Sequence, residues 1–305
     1  MSAAAAKSAD VTPPLAPSAL FRFAQEFAES KIALAGLVVL SIVVLIAIFA
    51  PFISPTNPND LLQLTILDNR LPPGTTGSRG VHYLLGTDGQ GRDMLSAIFY
   101  GLRTSLTVSI SSGLIAVAIG TMIGLIAAYF GGRVETLVMR VVDIQLSFPT
   151  ILIALLLLAF LGQGVGKIIV ALIIVQWAYY ARTVRAAALV EMQKEYIEAA
   201  QGLQLGHLRI LLRHLLPNCL PPLIVVATIQ SAHAIALEAT LSFLGLGLPP
   251  TEPSLGLLIA NGFVFILSGR YWISFFPGIA LLITIVSINL LGDQLRNVLN
   301  PRLQK

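Results

Sequence analysis

The sequence predicts an all-α polytopic membrane protein with six transmembrane helices, on three observations. Of its 305 residues, 56% are hydrophobic and only 11% charged, with a mean hydropathy of +0.84; soluble domains carry about a quarter charged residues. Six stretches stay apolar over the ~20 residues that cross a hydrocarbon core of ~30 Å in helical form. Lysine and arginine then divide unevenly between alternate loops, 13 on the side of the N-terminus against 6 on the other, which by the positive-inside rule turns both termini to the cytoplasm. In a soluble domain the net charge of +4 and pI near 9.4 would suggest nucleic acid. Here the charge reports orientation, so the expected surroundings are membrane lipid and no nucleic acid. The single cysteine, Cys219, excludes an internal disulfide and a multi-cysteine metal site.

Residues 1–33 read as a cytoplasmic tail rich in Ala, Ser and Pro, expected to be disordered or interfacial. Residues 34–53 form the first span. A cleaved signal has a shorter apolar core nearer the N-terminus and a small-residue cleavage site, whereas this span runs into Pro51-Phe52, so it is read as a retained anchor. Residues 54–102 form an external loop with Pro55, Pro58, Pro72 and Pro73, closing on LGTDGQGRD at 85–93. Its aspartates lack the alternating ligands and final Glu of an EF-hand, so Gly86, Asp88, Arg92 and Asp93 are expected to tie a folded turn.

Residues 103–297 hold the other five spans. The second, 105–129, repeats Ala116, Gly120, Gly124 and Ala128 at four-residue spacing, a stripe that lets another helix approach closely. The third, 136–161, opens with Arg140 and Asp143, three apart on one helix face and able to neutralise each other in part. A structural ion pair and a gating role both fit them. The fourth, fifth and sixth spans are 168–189, 223–244 and 275–295; 245–273 reads as a second external loop, and 298–305 as a cytoplasmic tail. On the fifth span Ser231, Glu238 and Ser242 share one stripe, with Glu238 deep in the apolar run. A carboxylate there marks a transport path or an interhelical hydrogen bond, and in either case the stripe is expected to face the bundle interior or a wet cavity.

The loop GQGVGKI at 162–168 resembles a phosphate-binding loop only superficially. The first required glycine is Leu161 and the closing Ser/Thr is Ile168, and no strand precedes it. No other Walker motif occurs, so this chain is expected to bind no cofactor and no ATP. The four histidines, His82, His207, His214 and His233, are scattered, and no catalytic or metal-binding constellation appears, so no enzyme is predicted.

One long segment between apolar spans is too polar for hydrocarbon. From Glu198 to Asn218 it reads helix, break, helix: Gly202 and Gly206 weaken the first helix, 208–216 resumes a basic amphipathic pattern, and Pro217 stops it. Kept in water at about 191–221, such a loop is suited to a soluble partner.

Five patches in order carry a family resemblance: Leu85-Gly86-Thr87-Asp88 with Gly91-Arg92-Asp93; Gly101 with Arg103, Ser105 and Leu106; Tyr129 with Gly131-Gly132, Met139-Arg140, Asp143 and Pro149; Glu198-Ala199-Ala200 with Arg213-His214 and Leu216-Pro217-Asn218; and 241–247 with Pro249-Pro250, then Asn289, Gly292-Asp293, Leu295-Arg296 and Asn300-Pro301. The chain resembles the second permease subunit of a bacterial ABC importer of the dipeptide/oligopeptide family, which includes nickel and glutathione systems.

The resemblance implies a type I ABC importer transmembrane domain in the cytoplasmic membrane. Its partners would be a homologous permease subunit, two cytoplasmic ATPase subunits that hold ATP and Mg, and a solute-binding protein. It implies peptide cargo, with glutathione, nickel chelates or opine-like solutes as alternatives. The Glu198 loop would be the coupling helix, using Glu195, Glu198, Ala199, Ala200, Gly202, Gly206, Arg213, Leu216 and Pro217. The family's loop has glycine six residues after the Glu, where this chain has Gln204, so the bend is expected to have shifted by two residues. A secondary transporter is the main rival; it would transport alone and often shows internal repeats, which this chain lacks.

Overall fold

The computed structural model of the protein describes residues 19–60 and 65–299. The expectations for 1–18 and 300–305 lie outside them. From Ala19 the predicted tail is a helix, α1 (Ala19–Glu29), whose Phe23 and Phe27 pack on Ala33 and Val298. Ser30 caps α2 (Lys31–Ile53), accepting a hydrogen bond from Ala33 N at 3.3 Å. This first span leaves most of its apolar surface open, as lipid contact requires.

The loop after α2 ends at Asp93, nine residues earlier than expected. Asp93 is the N-cap of α3 (Met94–Phe130), accepting from Ser96 N at 2.9 Å and Ser96 Oγ at 2.6 Å; a capping carboxylate satisfies a free N–H of the first turn and starts the helix there. Within the loop, β1 (Thr75–Thr76) and β2 (His82–Tyr83) form an antiparallel pair, Thr75 opposite Tyr83.

The expected third span is two helices, α4 (Gly132–Ser147) and α5 (Thr150–Leu161), bent by 90°. Pro149 has no N–H to donate, and Phe148 before it is extended at φ −93° and ψ 145°, the conformation a following proline favours. Then come α6 (Val165–Met192), the short α7 (Glu195–Gly202), a single-turn α8 (His207–Arg209), a π-helical turn over Ile210–Leu215, and α9 (Leu216–Phe243). The second expected loop contains a helix as well: Ser254 caps α10 (Leu255–Phe263), which buries Leu255 and Leu258. Finally α11 (Trp272–Val298) returns to pack on α2 and α1. Among the described residues, five helices are long and apolar enough to cross a membrane, and the bent α4–α5 pair, counted as one span, makes six.

Helices α3 and α6 form the central contact. At Gly120 and Gly124 an added Cβ would lie 2.4 Å from the Trp177 carbonyl oxygen and 2.5 Å from that of Ala181, so the two backbones meet only because side chains are missing. The bundle has two ends. One carries α7, and the other carries the 54–93 segment and α10.

Candidate functional site

At the α7 end, a knob projects from the bundle on a buried anchor. Ile197 and Ala200 are buried against Tyr180, Val184, Ile210, Leu211 and Leu215, while Glu195, Glu198 and Ala199 face out. Ala200, read from sequence as part of the docking face with Ala199, therefore belongs to the anchor.

The break in the segment falls at neither glycine. Gly202 ends α7 and Gly206 has φ −59°; Gln204 carries the turn, at φ 55°. Leu205 N donates to the Ala200 carbonyl at 3.2 Å and Gln204 N to that of Gln201 at 2.8 Å, the pairing of a Schellman helix end, in which the left-handed residue is usually glycine. The end of α9 uses the same motif with Gly245 at φ 77°. The expected two-residue shift of the bend is thus corrected: backbone geometry keeps it at 204 and tolerates glutamine there.

Side chains tie the knob to three long helices. Tyr129, near the end of α3, makes a 2.7 Å hydrogen bond between its hydroxyl and His207 Nδ1, and Phe130 packs on the same ring. Tyr196 donates to Glu191 of α6 at 2.6 Å and accepts from Asn218 of α9 at 3.1 Å. Burial, then the hydrogen bond to the Glu191 carboxylate, pushes the Tyr196 phenol up to about 12, so it remains a donor. Arg213 and Pro217 are exposed and Leu216 half-buried on the second arm. Leu203 and Leu208, 75% and 64% exposed, lie in the same segment; the sequence reading missed them, although two leucines in an otherwise polar loop were the available signal.

The residues read as path or gate fall in two separate places, one on α4 and one on the α3–α9 seam. Asp143 pairs with Arg182 of α6 at 2.5 Å, and both are exposed. Arg140 is exposed and forms no ion pair among the described residues, so the expected Arg140–Asp143 neutralisation is replaced by a link between α4 and α6. Glu135 and Arg185 add a second ion pair between the same helices. Glu238 is fully buried and accepts from Ser105 Oγ of α3 at 2.7 Å and Ser242 Oγ at 2.8 Å. One turn further along α3, Ser109 Oγ donates to the Ser231 carbonyl at 3.0 Å. This stripe is a seam between α3 and α9.

At the other end, the 85–93 turn is a buried clasp. Asp88 holds Arg92 Nε at 2.7 Å with both side chains buried, and accepts from Gln90 N and Arg92 N. Gly86 accepts from Met94 N at 3.0 Å, leading into α3. Arg92 Nη1 reaches the Pro250 carbonyl and Trp272 Nε1 the Thr87 carbonyl, each at 3.2 Å, so the turn links the 245–254 segment and α11. Asp68 accepts from Ser78 N at 2.7 Å and the Tyr83 hydroxyl at 3.1 Å. Burial pushes its carboxyl upward, but the Ser78 and Tyr83 hydrogen bonds and Arg79 outweigh it and hold the group below the usual carboxylate value. Among the described residues no three His, Cys, Asp or Glu are grouped to hold a metal ion.

Comparison with known proteins agrees with this architecture. The family of binding-protein-dependent transport system inner membrane components matches residues 120–305, and the N-terminal transmembrane domain of oligopeptide transport permease C matches residues 18–73. The chain is 38% identical over 288 residues to the di/tripeptide transport system permease protein DppC of Pseudomonas aeruginosa, covering 94% of each. It is 40% identical to the dipeptide transport system permease protein DppC of Escherichia coli K12, covering 97% of each. In fold it resembles the inward-facing MetNI methionine ABC transporter, with a TM-score of 0.56 at 21% identity, over 68% of this chain and 98% of that one. With one family model spanning more than half the chain and relatives near 40% identity along almost all of it, the protein belongs to the binding-protein-dependent transport system inner membrane components, the non-catalytic permease subunits of ABC transporters.

Proposed function

We propose that this chain forms half of the translocation path of a peptide importer, paired with a homologous permease, driven by two cytoplasmic ATPases that hold ATP and Mg, and supplied by an external solute-binding protein. Both termini and the α7 knob face the cytoplasm, and the 54–93 clasp faces outward. Relatives named for dipeptide and di/tripeptide transport support the cargo class. The observation that carries the coupling role is the division of α7 into a buried face, Ile197 and Ala200, and an exposed one, Glu195, Glu198 and Ala199, with Leu203 and Leu208 exposed in the same segment.

Such a knob suits a groove on a soluble subunit. Exposed leucines supply area to bury, the glutamates supply charge for register, and Ala199 permits close approach. Because Tyr129–His207 and Tyr196–Glu191–Asn218 fasten the knob to α3, α6 and α9, a rigid-body movement of the ATPase would carry those helices with it and switch access between the two sides. The π-turn at 210–215 and the prolines at 217, 221 and 222, which donate no backbone hydrogen bond, leave the second arm adjustable.

The test uses the complete transporter in proteoliposomes. Glu198→Lys should abolish uptake while ATPases, both permeases and membrane insertion are retained. Normal uptake by that variant, or labelling of a Glu198→Cys variant by an impermeant thiol reagent from outside the cell, would overturn the reading.

A further inference from the structure

Two groups of polar residues on α9 face nearly opposite ways, and only one of them bonds to a neighbouring helix. Ser231, Glu238 and Ser242 are on the α3 seam. His233 and Thr240, seven residues apart and so within about 20° of each other round the helix, lie about 140° from Glu238. Both are exposed. The His233 ring has no hydrogen-bond or ion-pair partner among the described residues. It lies well inside a helix of 28 residues that is long and apolar enough to cross the membrane. An exposed imidazole at that depth is costly against lipid and belongs to a wet path or a protein contact.

The face is also concave. His233, Ala236, Leu237 and Thr240 line a cavity of about 320 Å³ with Thr150 and Ile151 from the start of α5. The 90° break at Pro149 is what brings that start to α9. The lining has an imidazole and two threonine hydroxyls, and it has no carboxylate; Thr240 Oγ1 donates to the Ala236 carbonyl at 2.7 Å and Thr150 Oγ1 lies 3.3 Å from the Tyr179 hydroxyl, so the imidazole is the donor left open. An imidazole N–H can donate to an anionic group, and the lining holds no negative charge to balance an ammonium. The first backbone N–H groups of α5, which have no acceptor within the helix, add positive potential to the same side.

We propose that this cavity between α5 and α9 is a substrate subsite that binds the C-terminal carboxylate of a peptide in transit, with His233 as the principal donor and Thr150 and Thr240 beside it. The proposal rests on the reading of the chain as a peptide permease subunit. It places the path on the face of α9 opposite Glu238.

The experiment uses the complete transporter in proteoliposomes and reads tripeptide uptake together with ATP hydrolysis stimulated by loaded binding protein. His233→Ala should lower uptake at least about tenfold, the weight of one hydrogen bond to a charged group, while stimulated hydrolysis stays within about twofold. His233→Gln, which keeps a donor, should recover most of the uptake. A His233→Cys transporter should be captured by a tripeptide carrying a thiol-reactive group on its last residue, and poorly by one carrying it on the first. Uptake by His233→Ala equal to the parent, loss of stimulated hydrolysis together with uptake in both variants, or capture indifferent to the labelled end would overturn the subsite. Absence of binding-protein-dependent tripeptide uptake by the parent transporter would instead overturn the permease reading beneath it.

Discussion

Removing the Glu238 side chain tests whether the α3–α9 seam is held by the bonds assigned to it. In Glu238→Ala, the Ser105 and Ser242 hydroxyls lose their acceptor inside the bundle. Each orphaned hydroxyl costs about 1 kcal/mol, and the emptied volume adds about 1 more, for a loss of about 3 kcal/mol. Ser105→Ala removes only one donor and should cost about 1 kcal/mol. In Glu238→Gln the amide can accept from one serine and donate to the other, so the loss should stay below about 1 kcal/mol. The decisive quantity is the coupling between Ser105→Ala and Glu238→Ala in a double-mutant cycle, measured by reversible unfolding in bicelles. Interhelical hydrogen bonds in membranes give about 0.6 kcal/mol on average and about 1.7 at most, and a bond in a fully buried site belongs in the upper half of that range. Coupling indistinguishable from zero would refute the shared bond. Uptake that collapses in Glu238→Gln at unchanged stability would show that the carboxylate acts in transport, and would end the assignment of this face to packing.

The same geometry carries two further expectations. Gln204→Gly should stabilise the α7 end by about 1 kcal/mol, because a side chain in the left-handed region costs about 1–2 kcal/mol and glycine returns part of that as backbone entropy; slower hydrogen exchange at Gln204 and Leu205 N–H is the readout, and faster exchange would contradict the strained turn. In the segment between α2 and α3, the Asp68 carboxyl is held below its ordinary value of 3.8, so its contribution is fully present above that pH and is lost only as pH falls below it. Tyr83, pushed up to about 12 from 10.0 by burial and by its hydrogen bond to Asp68, adds a contribution present below pH 10 and lost towards 12. Protease protection of residues 65–93 should therefore be flat from pH 5 to 9, with an acid limb that disappears in Asp68→Asn; a protection change centred near pH 6.5 would point to a different group.

Much of the membrane architecture was legible because hydrocarbon imposes a length and a composition that a linear pattern records directly. The apolar runs around 34–53, 105–129, 168–189 and 275–295 each fall within a helix, and 223–244 overruns its helix by one residue; the polar segment around Glu198 stood out for the same reason. Helix ends were less legible. Asp93 caps α3 well ahead of the expected start, and Pro149 breaks a run that hydropathy reads as continuous, since hydropathy averages over residues while capping and chain breaks act at single ones.

Which polar group meets which was decided only by the tertiary structure. Periodicity put Arg140 and Asp143 on one face, yet Asp143 pairs with Arg182, 39 residues on in α6, a partner that only the packing of α4 on α6 brings to it. Periodicity likewise put Ser231, Glu238 and Ser242 on one stripe of α9 without saying that Ser105 and Ser109 of α3 meet that stripe and leave His233 on the other face. The turn at Gln204 needed the fold as well, since the anchor formed by Ile197, Ala200 and Leu205 holds glutamine in a conformation that its own preference disfavours. One-dimensional patterns report what each residue would bury in water or lipid; the partners of a buried polar group depend on which helices pack together, and here that is set by backbone contacts such as those of Gly120 and Gly124 with α6.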